Sequence, residues 1–222
     1  RLPTDKVEST SRASEGFGER SEARYKRPLD LAILTTAHIL FLPLVVLLWV
    51  LIPLLIWLDD RGPVFFRQQR PGKDGRLFTV LKFRTMVPNG ERHGPAWTTE
   101  DDPRLTRVGR FLRKTALDEL PQLLNIWKGD VSFVGPRALP AREQTFFEET
   151  IPGFRDRLRI RPGLTGLAQV YNRQDDADSK LSYDLEYIRH MSPLMDARLL
   201  VISLWNTVLA RWDKRGGKPA GG

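Results

Sequence analysis

Leu31-Ala-Ile-Leu-Thr-Thr-Ala-His38-Ile-Leu-Phe-Leu-Pro43-Leu-Val-Val-Leu-Leu-Trp-Val-Leu-Ile-Pro53-Leu-Leu-Ile-Trp-Leu58 is a run of about 28 residues in which His38 is the single ionisable side chain. A run this long and apolar reads as a membrane segment rather than a soluble core helix. Pro43 removes an amide from the helix interior and favours a kink or break there. The two arms, about 12 and 16 residues, reach about 18 and 24 Å at 1.5 Å per residue. Neither covers a hydrocarbon core of about 30 Å.

The flanks favour the same geometry. Arg24, Lys26 and Arg27 precede the run, and Arg61, Arg67, Arg70 and Lys73 follow it. A spanning helix puts one basic cluster on the wrong side, whereas a segment that enters, bends near Pro43 and returns keeps both on the cytoplasmic side. The expectation is therefore a re-entrant helix-break-helix over residues 24–60, with a tilted spanning helix as the competing geometry. Pro53 offers a second bend. Backbone groups freed at the bend need local partners, for which Thr35, Thr36 and His38 are candidates.

Outside this segment the chain divides simply. Residues 1–23 are rich in Ser, Glu and Arg and are expected to be a flexible tail, with no signal-peptide pattern at the start. Residues 61–213 are expected to form a cytosolic catalytic domain, and 214–222 a second loose tail. The fold class is α+β, mostly helical, with a small β-hairpin and interfacial amphipathic helices. The hairpin is read from Val64 to Arg70 and Arg76 to Thr85 around Pro71-Gly-Lys-Asp-Gly75. Lys82 and Arg84 share one face of its second strand, which by itself suits a solvated surface. Arg104, Arg107, Arg110 and Arg113 recur at every third position, which suits a basic helix against anionic headgroups or a plain solvated one. Pro193 to Trp212 patterns as a further amphipathic helix.

The 222 residues carry a net charge of +8, which points to an anionic partner: nucleic acid, phosphorylated substrate or lipid surface. The absence of cysteine excludes disulfides, thiol nucleophiles and cysteine metal sites. Three histidines without ligand-like spacing argue against zinc, so a metal would be a hard ion on oxygen ligands, magnesium or manganese.

The candidate chemistry centres on Thr115-Ala-Leu-Asp118-Glu119-Leu-Pro121-Gln-Leu-Leu-Asn125-Ile-Trp-Lys-Gly129. Thr115 with Asp118 reads as a capping pair, Pro121 fits a first turn and Gly129 is a stop. Two adjacent carboxylates are thereby expected at the positive end of a helix, either as caps or as a phosphate-handling pair. Asp130-Val-Ser-Phe-Val-Gly-Pro-Arg137 delivers an arginine from a loop after a short apolar run. Arg157, Arg159 and Arg161 alternate with Leu158 and Ile160 before a Pro162-Gly163 turn, where glycine amides could approach an oxyanion. Asp175, Asp176 and Asp178 lack calcium-loop spacing and are read as solvated. A membrane segment, arginine-bearing loops and an acid pair together describe a site for one lipid-borne and one soluble phosphorylated reactant, in which an Asp can attack phosphorus.

Four motifs carry a resemblance. Lys-Phe-Arg-Thr-Met at 82–86, Leu-Asp-Glu-Leu-Pro-Gln-Leu-Leu-Asn at 117–125, Lys-Gly-Asp-Val-Ser-Phe-Val-Gly-Pro-Arg at 128–137 and Arg-Pro-Gly-Leu-Thr-Gly at 161–166 resemble the bacterial sugar transferase family of monotopic phosphoglycosyl transferases. The resemblance runs in order from about Pro28 to beyond Trp205 and covers the catalytic domain of the small members. It implies transfer of a sugar-1-phosphate from a UDP-sugar to polyprenol phosphate, with release of UMP, as the first membrane step of a glycoconjugate pathway. By that resemblance Asp118 attacks the sugar-bearing phosphate, forms a covalent phosphosugar intermediate and lies against Mg²⁺. Glu119 assists proton removal from polyprenol phosphate or positions it. Lys82, Arg137 and Arg161 hold phosphate oxygens, Asp184 supports the site, and Arg113 and Pro43 are structural. The implied location is the cytoplasmic face of the bacterial inner membrane, among its lipids and without nucleic acid. Leu42, Ala138 and Leu167 stand where the family commonly has Ser, Pro and Trp, and the apolar stretch after Pro43 is longer. A reading of a different class is a basic, membrane-anchored binding module without catalysis. The sugar, the pathway and any oligomeric state are left open by the sequence.

Overall fold

The apolar run folds as two helices, α1 (Lys26–Leu40) and α2 (Leu42–Asp60), separated at Phe41. The break falls just before Pro43, which occupies the first turn of α2 where its missing amide costs nothing. Helix α2 continues through Pro53, so that proline produces no second break. Among the candidate partners, His38 Nδ1 lies 2.7 Å from the Leu34 carbonyl one turn back. Around the break Ile39, Leu40, Phe41, Leu42 and Leu44 are each at least half exposed. In a computed structural model that describes residues 22–90, 102–172 and 176–208, α2 is the helix long and apolar enough to cross a membrane, and 11% of its apolar window is buried.

Both ends of this segment are tied to the same body. At the start of α1, Lys26 Nζ donates to the Val134 carbonyl (2.7 Å) and to Tyr187 Oη (2.6 Å), and it pairs with Asp196 (3.0 Å). Arg27 donates to the Ile126 and Trp127 carbonyls, while Asp30 accepts from Ser132 Oγ and the Phe133 amide. At the far end of α2, Asp59 accepts from the Val108 amide and Asp60 pairs with Arg84. Arg84 is thus buried and paired, not part of a solvated strand face. Arm lengths of 15 and 19 residues exceed those expected, because α1 begins inside the domain, where Asp30 and Leu34 are buried.

The hairpin forms as the sequence suggests. Strands β1 (Phe65–Pro71) and β2 (Leu77–Phe83) pair antiparallel around a turn in which Asp74 takes a positive φ of 58°. Period-two geometry puts Phe78, Val80 and Lys82 on one face and Phe83 on the other. Phe83 packs with Ile52 and Ile56 of α2 and with Leu112 of α3 (Arg107–Lys114). At 1% exposure, its burial contributes roughly 1.5–3 kcal/mol. Asp59 and Asp60 therefore act where α2, β2 and α3 already meet through apolar contact.

Helix α4 (Gln122–Lys128) ends at Gly129 in a left-handed conformation, as expected. A second sheet was not expected: β3 (Ser132–Val134) pairs in parallel with β4 (Gly163–Thr165). The residues expected to turn at Pro162-Gly163 are a strand, because the backbones approach closely there. A Cβ on Gly163 would sit 2.1 Å from the Gly135 nitrogen. The Gly163 and Gly135 amides donate to the Pro136 and Thr165 carbonyls, so neither is offered to an oxyanion. Arg157 and Arg159 lie in a 3₁₀ segment, Phe154–Arg159. The main core gathers Phe154 and Ile160 from this segment and the residue after it, with Leu181, Leu185, Tyr187 and Ile188 of α7 (Ala177–His190) and Leu199 of α8 (Pro193–Val208). Two short helices, α5 (Ala141–Thr150) and α6 (Leu167–Tyr171), complete the order. Asp176 and Asp178 are exposed, as expected, and Asp176 also caps α7 by accepting from the Ser179 amide. Residues 1–21 and 209–222, which include most of the first expected tail, all of the second and the end of the helix expected to reach Trp212, lie outside the described residues, as does Asp175.

Candidate active site

The acid pair is built differently from the expected cap. Thr115 closes α3 and its hydroxyl donates back to the Phe111 carbonyl (2.9 Å), so it does not cap the acid turn. Ala116 takes a left-handed φ of 56°, and Leu117–Glu119 form a single 3₁₀ turn before Pro121 leads into α4. The turn uses the Glu119 and Leu120 amides itself. Positive potential at the pair therefore comes from side chains and not from an open helix end. Leu117 and Leu120 pack against the cluster containing Ile52 and Ile56. The acid turn and the apolar segment thus share a core.

Lys82 reaches both acids, at 2.5 Å from Glu119 Oε1 and 3.9 Å from Asp118 Oδ2. Arg137 stands 3.9 Å from the same Glu119 oxygen. Lys82, Glu119 and Arg137 line a cleft open to solvent, which Arg70 and Gln122 also border, and Asp118 adjoins it through Lys82. Asn125 holds the walls together: its carbonyl accepts from the Leu81 amide (3.1 Å) and its amide donates to the Thr79 carbonyl (2.8 Å). It thereby clips α4 to β2 beside Lys82.

The two carboxylates differ. Burial pushes Asp118 up to about 6, opposed by Lys82 and reinforced by the charge of Glu119. Burial acts on Glu119 too, but Lys82 and Arg137 outweigh it and hold that group well below the usual carboxylate range. Asp118 is 8% exposed, and no hydrogen bond to its carboxylate is found among the described residues. A buried anion with open lone pairs is high in free energy and ready to accept an electrophile or a cation.

The remaining sequence candidates take different places. Arg113 donates from Nε to Thr85 Oγ1 (2.9 Å), and its charge lowers the Asp118 carboxyl. Asp59, Asp60 and Arg84 tie the end of the apolar segment to the same region. Arg161 donates to Glu22 (2.7 Å), which Lys73 also approaches, and Arg161 is not among the residues lining the cleft. Asp184 is buried and accepts from Nε and Nη2 of Arg157 (2.8 and 2.7 Å). Arg157 also donates to the Arg137 carbonyl (2.8 Å), so Asp184 reaches the cleft through that relay. The sequence reading assigned no site role to Arg70, Gln122, Asn125 or Arg157. Gln122 and Asn125 lie within the acid-pair motif itself, which was the available signal.

No cluster of three or more Asp, Glu, His or Cys occurs among the described residues. Magnesium would therefore take Asp118 as its protein ligand and complete its shell with substrate phosphate oxygens and water, as that ion commonly does. The open carboxylate of Asp118 fits this role, whereas Glu119 is already engaged by Lys82.

Comparison with known proteins agrees with the motifs. The bacterial sugar transferase family matches residues 21–210. The chain is 39% identical over 197 residues to the UDP-N-acetylgalactosamine-undecaprenyl-phosphate N-acetylgalactosaminephosphotransferase of Aeromonas hydrophila, covering 86% of this chain and 45% of that protein. It is 36% identical over 186 residues to the UDP-glucose:undecaprenyl-phosphate glucose-1-phosphate transferase of Escherichia coli, covering 81% of this chain and 39% of that protein. Exopolysaccharide production protein ExoY of Sinorhizobium fredii is 38% identical over 202 residues, which cover 84% of this chain and 86% of that protein. The chain thus spans less than half the length of the first two relatives and most of the third.

Proposed function

The chain belongs to the bacterial sugar transferase family, and on that premise we propose that it moves a sugar-1-phosphate from a UDP-sugar to polyprenol phosphate. A carboxylate oxygen of Asp118 attacks the sugar-bearing phosphorus. The bond from that phosphorus to the bridging oxygen breaks, and UMP leaves with the bridging oxygen on its own phosphate. The phosphosugar is then an acyl phosphate on Asp118. A phosphate oxygen of polyprenol phosphate attacks the same phosphorus, the bond to Asp118 breaks, and the carboxylate is restored.

Lys82 and Arg137 offset charge on the transferring phosphoryl oxygens. Glu119, held low by these two cations, is a poor proton acceptor, and polyprenol phosphate is already largely ionised near neutrality with a second pKa of about 6. Of the two roles considered for Glu119, positioning is therefore the better fit. Bound magnesium, or manganese, would neutralise diphosphate charge next to Asp118. The observation that carries this reading is the contrast within the acid pair, one carboxylate paired and the other buried and open.

The lipid reactant enters from the bilayer. We assign α1–α2 to a re-entrant hairpin, because Lys26 and Asp30 at one end and Asp59 and Asp60 at the other all bond to one domain. A spanning segment would carry its ends to opposite sides of about 30 Å of hydrocarbon. By this assignment the domain sits on the cytoplasmic face of the inner membrane, in a pathway such as exopolysaccharide synthesis. Cysteines at Arg24 and Asp74, both exposed, are expected to react with an impermeant thiol reagent from the same side in oriented vesicles. Reaction from opposite sides would establish a crossing.

The chemistry is tested by incubating the protein with a UDP-sugar labelled on the sugar, with magnesium and without lipid acceptor. Protein-bound label is expected in the wild type and absent in Asp118→Asn. Equal labelling of the variant removes the nucleophile assignment, and no labelling of the wild type favours a non-catalytic binding module.

A further inference from the structure

Arg137 is a 47%-exposed side chain on the loop between β3 and α5, yet its approach to Glu119 needs a defined backbone. Two arginines supply one. Arg157 Nη2 donates to the carbonyl of Arg137 itself (2.8 Å), and Arg70 Nη1 donates to the next carbonyl, that of Ala138 (2.5 Å). The first donor is fixed by Asp184 and Gln144. The second is fixed by Gln68, whose Oε1 accepts from Arg70 Nε (3.0 Å) and Nη2 (2.8 Å). Consecutive carbonyls of one loop are therefore gripped by two different parts of the molecule, one by a relay through Asp184 of α7 and the other by the hairpin. Ala138 is 9% exposed, so its carbonyl would have few water molecules to replace the guanidinium.

We infer that Arg70 is a positioning residue for Arg137. It borders the cleft, and its charge also helps to keep Glu119 ionised. Yet its fork is directed at Gln68 and the Ala138 carbonyl, so its main effect on the substrate passes through the loop. This assignment rests on the phosphotransfer reading for its kinetic consequence but not for its structural one. Arginine suits the task because its planar fork bonds Gln68 and Ala138 at once, which a lysine ammonium does not reproduce.

The test has two arms. Amide hydrogen exchange of residues 137–139 is compared between wild type, Arg70→Gln and Arg70→Lys in detergent, without substrate. Both variants are expected to exchange faster there, with the main core unchanged. Unaltered exchange overturns the inference whatever the enzyme's activity. The second arm is a double-mutant cycle on UDP-sugar consumption. Arg70→Gln is expected to lower kcat/KM by about 10- to 100-fold, chiefly through KM, as loss of substrate alignment does. In an Arg137→Ala background it is expected to add no further loss, because the group being positioned is gone. Losses that multiply would make Arg70 an independent substrate contact and overturn the inference. Gln68→Leu, outside the cleft lining, is the milder variant. It should produce a smaller defect of the same kind that also vanishes with Arg137→Ala, and a persistent defect would count against the relay. Wild-type inactivity would sink the phosphotransfer reading while the exchange arm still decides the loop assignment.

Discussion

Two lysines, Lys26 buried and Lys82 half-buried, organise this molecule in opposite ways. Lys26 is 1% exposed and has its ammonium filled by the Val134 carbonyl, Tyr187 and Asp196, with Tyr187 Oη donating to the other Asp196 oxygen at 2.6 Å. Lys82 has a close contact to Glu119 and a distant one to Asp118, and it opens onto a cleft. The first constellation is closed and holds the base of α1 to α7 and α8. The second contains one acid more than its lysine can satisfy, with Arg137 at its edge. A satisfied polar knot stabilises the fold, and an unsatisfied one is available to a ligand.

The largest expected effect breaks this comparison at Asp118. Asp118→Asn should reduce turnover by at least about 10³-fold, since in the proposed mechanism the open carboxylate attacks phosphorus. Its melting temperature near pH 7 should hold or rise. Burial raises the Asp118 carboxyl from its ordinary 3.8 to about 6. The unfolded chain therefore loses that proton first, and this group's contribution to stability falls as pH rises between those values. A large drop in melting temperature would place Asp118 with Lys26 as structural.

Lys26→Met comes next and should have the opposite signature. Removing one partner strands Asp196 and Tyr187 in the interior, at a cost of roughly 3–5 kcal/mol. Thermal unfolding in detergent measures it, and an unchanged midpoint would break the distinction between the two lysines. The smallest effect sharpens the comparison through pH. The rate of label transfer to the wild type should rise with pH through about 6, as the acid pair loses its proton. Lys82→Met should move that midpoint upward, because the ammonium favours the charged carboxylate. A midpoint that stays in place would remove Lys82 from the electrostatics of Asp118.

Legibility tracks sequence distance. The hairpin, the break before Pro43 and the adjacency of Asp118 and Glu119 depend on neighbouring residues and were readable. The cap at Thr115 was misread because a hydroxyl can bond backward as readily as forward, and the preceding helix took it. The parallel pairing of β3 with β4 was missed because three-residue strands give too little alternation to detect. By resemblance Arg161 holds phosphate and Asp184 supports the site; that they bond Glu22 and Arg157 in the fold is information no local pattern carries.

The sequence by itself determined a long apolar segment interrupted at a proline, basic flanks on both of its sides, an acid pair and membership of a transferase family. Only the tertiary structure decided which acid is paired. That choice depends on Lys82, which lies 37 residues from Glu119, and on burial that no local pattern encodes. It also decided that both ends of the apolar segment return to one body, through contacts such as Lys26 to Asp196 across 170 residues. Charge pairing acts through space, so residue types can propose such partners but only the folded chain selects among them.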